Sequence, residues 1–287
     1  MHRELVMKNK IAEIIEKEYL KMLKSIKSDF KKNFCKKKHN FLLDGLNIDT
    51  KIGLVFASSF ESKVGNAMQR VALEIARLKY GEENVPYIIN IHKMKHNIGE
   101  QKGKQIIVTD VDTNDKILNG NIDNIITKNE GNLRCKPPKN CSLNITELKT
   151  LLVKLPKTKN IIKNDVDLAF YDGKNWNLLE IKAGGDLDSS NARGNIRKLL
   201  KSYVALNSNN TKIYFATYYH KTGNGKWKGS MKKFLQYPDM FLIGSEFWEK
   251  ILPENISFDE FKNIYLKVMK KIKIANIIDD LKNICEE

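Results

Sequence analysis

Residues 165–219 constrain the fold more than any other stretch of the chain, because their hydrophobic period changes twice within a short span. VDLAF and WNLLEIK are separated by DGKN, which reads as two short strands joined by a tight turn. Ser189 or Ser190 then caps a helix whose apolar stripe is Ile196, Leu199, Leu200 and Val204. KIYFATYY at 212–219 returns to a strand, MFLIG at 240–244 adds another, and FWEKIL starts a short helix. Strands and helices mixed in this order predict an α/β core with a central mixed sheet flanked by helices.

Both ends of the chain are helical in pattern. Ile11, Ile14, Ile15, Met22, Ile26 and Phe30 recur near helical spacing, and so do Phe258, Phe261, Ile264, Tyr265, Val268, Met269 and Ile272. A further apolar-periodic segment runs from about Phe60 to Leu78 and stops at Tyr80-Gly81. From 84 to 160 the signal breaks into short pieces such as QIIV at 105–108 among Asn, Gly and Pro clusters, which reads as an inserted recognition region. The expectation is one domain over 1–287, with core elements near 55–80 and 161–250 and helices added at the N- and C-termini.

Charge narrows the partners. Lys and Arg number 50 against 34 Asp and Glu, a net charge of +16, so a polyanion is the expected ligand. No apolar run is long enough for a membrane span, and MHRELVMKNK lacks the apolar stretch of a secretory signal, so a cytoplasmic protein with no membrane partner is expected. Cys35, Cys135, Cys141 and Cys285 do not make a disulfide framework, and the five residues between Cys135 and Cys141 depart from zinc-knuckle spacing. His92 and His96, at i and i+4, have no zincin-type acid beside them. QIIVTDVDTND at 105–115 is superficially similar to the aspartate loop of haloacid dehalogenase-type phosphatases. The Thr113 spacing is wrong by one and the later motifs are missing, so that reading is set aside.

The chemistry lies on the hairpin. Side chains alternate along a strand, so Glu180 and Lys182 share one face and Leu179, Ile181 and Ala183 the other. On the partner strand Val166, Leu168 and Phe170 form the apolar face, leaving Asp165, Asp167, Ala169 and Tyr171 opposite. A turn at Gly173-Lys174 sets Asp167 across from Glu180, whereas a turn at Asp172-Gly173 sets Asp165 there. Either register gathers two carboxylates and Lys182 on one face. Clustered acids need a cation between them, and Mg²⁺ takes one or two carboxylates, completing its shell with waters and phosphate oxygen. Such an ion polarises a scissile phosphate, and a lysine beside it orients water and offsets developing charge, which is the chemistry of phosphodiester hydrolysis.

LLEIKAGGDLDSSNARGNIRKLL at 178–200 resembles type II restriction endonucleases of the TdeIII/MjaII family. DVDLAFYDGKNW before it, ATYYHKTG after it, FLIGSEFWEKI at 241–251 and the helix SSFESKVGNAMQRVALEIA at 58–76 extend the likeness to about half of the chain. The resemblance implies the PD-(D/E)xK nuclease fold and Mg²⁺-dependent cleavage of double-stranded DNA at a short palindrome of the GGNCC kind. It places the first acid on Asp167, the second on Glu180 and the lysine on Lys182. The family often carries Pro before its first acid; Val166 stands there, so Asp165 stays open as an alternative.

Glu61, Gly65 and Gln69 share a helix face, from which Glu61 can reach the metal through a water. Gly184 and Gly185 allow close approach of a DNA phosphate, and Arg193, Arg197 and Lys201 form a basic stripe suited to phosphate contacts. A palindrome read by identical subunits implies a homodimer with two active sites. A cognate DNA methyltransferase is expected in the same system, not as a bound partner. The alternatives on the same core are a repair or junction-resolving nuclease and a catalytically inactive DNA-binding protein.

Overall fold

The computed structural model describes residues 2–37, 39–99, 101, 103–130, 143, 145–184, 189–223 and 227–286. In chain order the elements are α1 (His2–Lys37), α2 (Ile48–Tyr80), β1 (Ile88–Ile89), β2 (Gln105–Val111), α3 (Lys116–Asn129), α4 (Ile145–Thr150), β3 (Lys157–Val166), β4 (Leu168–Tyr171), β5 (Trp176–Lys182), α5 (Ser189–Leu206), β6 (Thr211–Thr217), β7 (Phe241–Ile243), α6 (Ser245–Ile251), α7 (Phe258–Lys271) and α8 (Ile277–Glu286). The chain gathers into two compact units, Met1–Ile75 with Pro253–Glu287, and Ala76–Leu252.

The first unit is helical. Ile11, Ile15, Tyr19, Met22, Ile26 and Phe30 of α1 are buried, as are Phe261, Val268 and Met269 of α7 and Leu281 of α8. All of these except Tyr19 and Leu281 belong to the stripes expected from the periodicity. Helix α2 starts well before Phe60, since buried Ile52 and Val55 extend its stripe across a segment whose Gly53, Ser58 and Ser59 obscure the pattern. Buried Glu18 is answered by an ion pair with Arg70, and the Tyr19 hydroxyl lies 3.0 Å from that of Tyr265. Helix α7 opens on a capping box: the Ser257 hydroxyl accepts from the Glu260 N–H, and the Glu260 carboxylate accepts from the Ser257 N–H.

The second unit is the α/β fold that the strand-helix alternation predicts, a mixed sheet flanked by helices. Its strands form two ladders, β1-β2-β3 and β4-β5-β6-β7. Strand β2 pairs parallel with β1 and antiparallel with β3, while β5 pairs antiparallel with β4 and parallel with β6, and β7 continues parallel to β6. Strand β3 passes into β4 through a single residue, Asp167. Fully buried Gln105 joins the two ladders: its amide oxygen accepts from the Ala169 N–H at 2.7 Å and its amide nitrogen donates to the Ala169 carbonyl at 2.9 Å. The side chain thus does for the free edge of β4 what a neighbouring strand's backbone would do.

Helix α5 buries Ile196, Leu199, Leu200, Tyr203 and Val204 in a core shared with Ile107 and Val111 of β2 and with Leu118, Ile122 and Ile126 of α3. The stretch 84–160, read above as a recognition insertion, therefore contributes a buried strand and a packed helix to this core. His92 and His96 lie outside any helix, so their i, i+4 spacing does not bring them onto one helix face. Cys135 and Cys141 lie outside the described residues.

Candidate active site

The hairpin of β4 and β5 pairs Leu168 with Leu179 and Tyr171 with Trp176. Asp172 N–H donates to the Asn175 carbonyl, so the chain reverses at Gly173-Lys174, where Gly173 takes a positive φ of 89° that glycine accommodates without strain. This is the register that sets Asp167 across from Glu180. Expected alternation does not describe the burial, however. Asn177 through Ile181 are all buried, because β5 is a central strand covered on both faces, and Ala169 and Phe170 are buried alike. The face that carries the carboxylates is an interior one at Glu180, which is 2% exposed.

Asp167 lies one step beyond the last paired residues of β4. Its Oδ2 accepts the Ile181 N–H at 2.9 Å, so the side chain continues the ladder and is pinned in place by it. Its Oδ1 accepts from Lys198 Nζ at 2.6 Å. The same ammonium lies 2.9 Å from Glu180 Oε2, and Lys182 Nζ lies 2.7 Å from Glu180 Oε1. Two acids and two lysines thus converge where β5 ends. Asp165 goes elsewhere: it is paired with Ile106 across β3 and β2, its side chain is mostly exposed, and it faces Lys104 at 3.3 Å.

Burial is the main reason that the Glu180 carboxyl titrates above the ordinary carboxylate range, and the Asp167 charge adds to it, with Lys182 and Lys198 opposing. For Lys198 burial works against the ammonium, but the charges of Asp167 and Glu180 and their hydrogen bonds outweigh it and raise its pKa. Burial, and then the charges of the same two carboxylates, push the Tyr218 hydroxyl pKa up, so it stays neutral.

Lys198 and Tyr218 are members of this cluster that the sequence reading missed. Lys198 shares a helix face with Ser202, which is buried in the fold, and no residue pattern in the sequence marks that face as meeting the sheet. Tyr218 follows directly on β6, and its N–H bonds the carbonyls of Lys182 and Ala183.

The other expected residues are placed as follows. Glu61 lies exposed on α2 in the helical unit. Arg193 bonds Thr127 and Glu130, and Arg197 bonds Asp123, so both are engaged with α3 and its C-terminal end. Lys201, on the same helix, is half-buried. Gly184 has a packing reason of its own, since a Cβ there would meet the Tyr219 hydroxyl at 2.5 Å. Gly185 lies outside the described residues.

Among the described residues no group of three or more His, Cys, Asp or Glu side chains gathers at a metal-sized site. Asp167 and Glu180 nevertheless fit a hard divalent cation. They are oxygen donors in the number Mg²⁺ commonly takes from protein, and both already draw cationic side chains to their oxygens, Lys198 to each and Lys182 to Glu180.

A family model described as "Type II restriction endonuclease, HinfI" matches residues 7–269, most of the chain and all of both acids' surroundings. No curated protein and no solved structure matches.

Proposed function

Because the chain belongs to the HinfI family of type II restriction endonucleases, within the PD-(D/E)xK superfamily, we propose that it hydrolyses phosphodiester bonds of double-stranded DNA at a short palindromic site, using Mg²⁺ held by Asp167 and Glu180. The observation that carries this reading is the convergence of Asp167, Glu180 and Lys182 at the end of β5, with Glu180 buried. When bound, the ion supplies charge stabilisation at the scissile phosphate and a more acidic water. The protein's own part is positional. The Ile181 N–H holds Asp167 in one orientation, the strand holds Glu180, and Lys182 orients the attacking water and offsets charge on the phosphate.

The TdeIII/MjaII likeness is not the family match, so the GGNCC expectation that rested on it gives way to direct mapping of the cut ends. Gly184, Gly185 and Lys201 remain proposed DNA contacts, and Arg193 and Arg197 join them by exchanging their α3 acids for phosphate. Glu61 remains a proposed auxiliary acid. A homodimer is proposed because a palindrome presents two equivalent strands, and Leu20 of α1 and Leu266 of α7 are large apolar side chains left exposed on the helical unit. The test is digestion of a DNA of known sequence with Mg²⁺ and mapping of the ends. Discrete fragments are expected; binding without nicking at any Mg²⁺ concentration supports an inactive DNA-binding protein, and cutting at branched or damaged DNA alone supports a repair nuclease.

A further inference from the structure

We propose that Lys198 is a positioning residue that takes the place of the divalent cation in the metal-free protein, gathering Asp167 and Glu180 at one point and leaving them when the ion arrives. The inference rests on the Mg²⁺ reading above and concerns this chain's residues before DNA is cut. Lys198 Nζ lies 2.6 Å from Asp167 Oδ1 and 2.9 Å from Glu180 Oε2. The remaining oxygens are attended separately, Asp167 Oδ2 by the Ile181 N–H and Glu180 Oε1 by the charge of Lys182. Lys198 thus bridges both acids with a single cation, which is the part a bound metal has to play.

Two acids brought together inside a protein repel each other and favour a proton over the second charge unless a cation sits between them. Lys198 meets that need without metal. An ammonium that bridges both acids competes with a dication for the space between them, because their own repulsion is strong at such distances in a poorly solvated site. Departure is easy for this side chain. Its charge rides on a flexible four-carbon stem and 40% of the side chain is already exposed, so it can swing while α5 stays in place. Helix α5 is itself held by the bonds of Arg193 and Arg197 to Thr127, Glu130 and Asp123. Once released, the ammonium stands beside the site at which DNA phosphate binds.

The test is calorimetric titration of Ca²⁺, a hard oxygen-seeking dication, into the full chain without DNA at pH 8. It uses the wild type, Lys198→Gln, which keeps a polar donor of similar length, and Glu180→Gln. Removing the competing charge is expected to tighten Ca²⁺ binding in Lys198→Gln by about tenfold or more, the factor that corresponds to roughly 1.4 kcal/mol. Glu180→Gln should lose binding. A side chain that merely braced the fold would leave the affinity unchanged or weaker when removed, and that result overturns the inference.

A second measurement needs no variant. Acylation of lysines in the wild type, read by mass spectrometry, should modify Lys198 several times faster relative to exposed Lys174 when Ca²⁺ is present. An unchanged ratio overturns the inference. Equal Ca²⁺ affinity in the wild type and Lys198→Gln, with loss in Glu180→Gln, defeats this inference alone; failure of Ca²⁺ to bind to either chain defeats the Mg²⁺ reading with it.

Discussion

Replacing Gln105 with Met should unfasten the two ladders of the α/β unit at the point where they meet the acid pair. Met has similar length and no polar atoms, so the substitution removes the bonds at 2.7 and 2.9 Å to Ala169 without opening a large cavity. The Ala169 N–H and C=O are then buried without partners. Each such group costs about 1–3 kcal/mol, so the α/β unit should lose roughly 2–6 kcal/mol, a large part of the 5–15 kcal/mol typical of a folded domain. All three tryptophans, Trp176, Trp227 and Trp248, lie in this unit, so urea unfolding followed by tryptophan fluorescence reports its stability without interference from the helical unit. The midpoint should shift strongly to lower urea. Ala169 is two residues from Asp167, so cleavage should also fall under conditions in which the variant remains folded. A stability loss below about 1 kcal/mol would refute the claim that this one side chain replaces a strand's backbone at β4.

Glu180→Gln and Lys182→Ala should each abolish cleavage while leaving gel-shift binding of DNA and the tryptophan unfolding curve close to wild type. Asp167→Ala should be inactive and Asp165→Ala active in the same plasmid assay, since only Asp167 stands beside Glu180; the reverse would place the first acid on β3. The acid limb of the pH–rate profile should lie above the ordinary carboxylate range, because the raised Glu180 pKa lets a proton compete with the ion at higher pH than usual. A limb at or below pH 4 would refute this. In the metal-free fold the ionised Glu180 opposes stability at pH above its folded pKa, and that opposition is relieved as pH falls through it.

Glu260 behaves in the opposite sense. Its pKa is lowered to about 2 by Lys8 and by Ser257, so its contribution is present above the unfolded value near 4.5 and lost as pH falls toward 2. Glu260→Gln should flatten the acid dependence of thermal unfolding of the helical unit, read by circular dichroism.

How much of the site was legible can be judged residue by residue. Glu180 and Lys182 share a face by strand alternation alone, and the choice between Asp165 and Asp167 reduced to the position of one turn. Composition left that turn open, since Asp172-Gly173 and Gly173-Lys174 are both plausible pairs. The pairing of Leu168 with Leu179 chose between them. The sequence points to Arg193, Arg197 and Lys201 and not to Lys198, because a stripe of charges four apart is visible in it. A lysine that crosses from helix to strand is not. The stretch 84–160 is unreadable for a related reason: β2 is buried along nearly its whole length although Gln105, Thr109 and Asp110 interrupt its apolar residues, so no simple period declares its partners.

What the chain's order of residues determined is whatever depends on neighbours: the helical stripes of α1, α5 and α7, the strand on either side of Gly173, and the alternation that puts Glu180 with Lys182. These follow from backbone period and side-chain size within a few positions of each other. Only the folded chain could decide that β5 is covered on both faces, that Gln105 bonds Ala169 across 64 positions, and that Lys198 lies between the two acids. Those facts depend on which surfaces meet after long loops close, and no local period records that meeting.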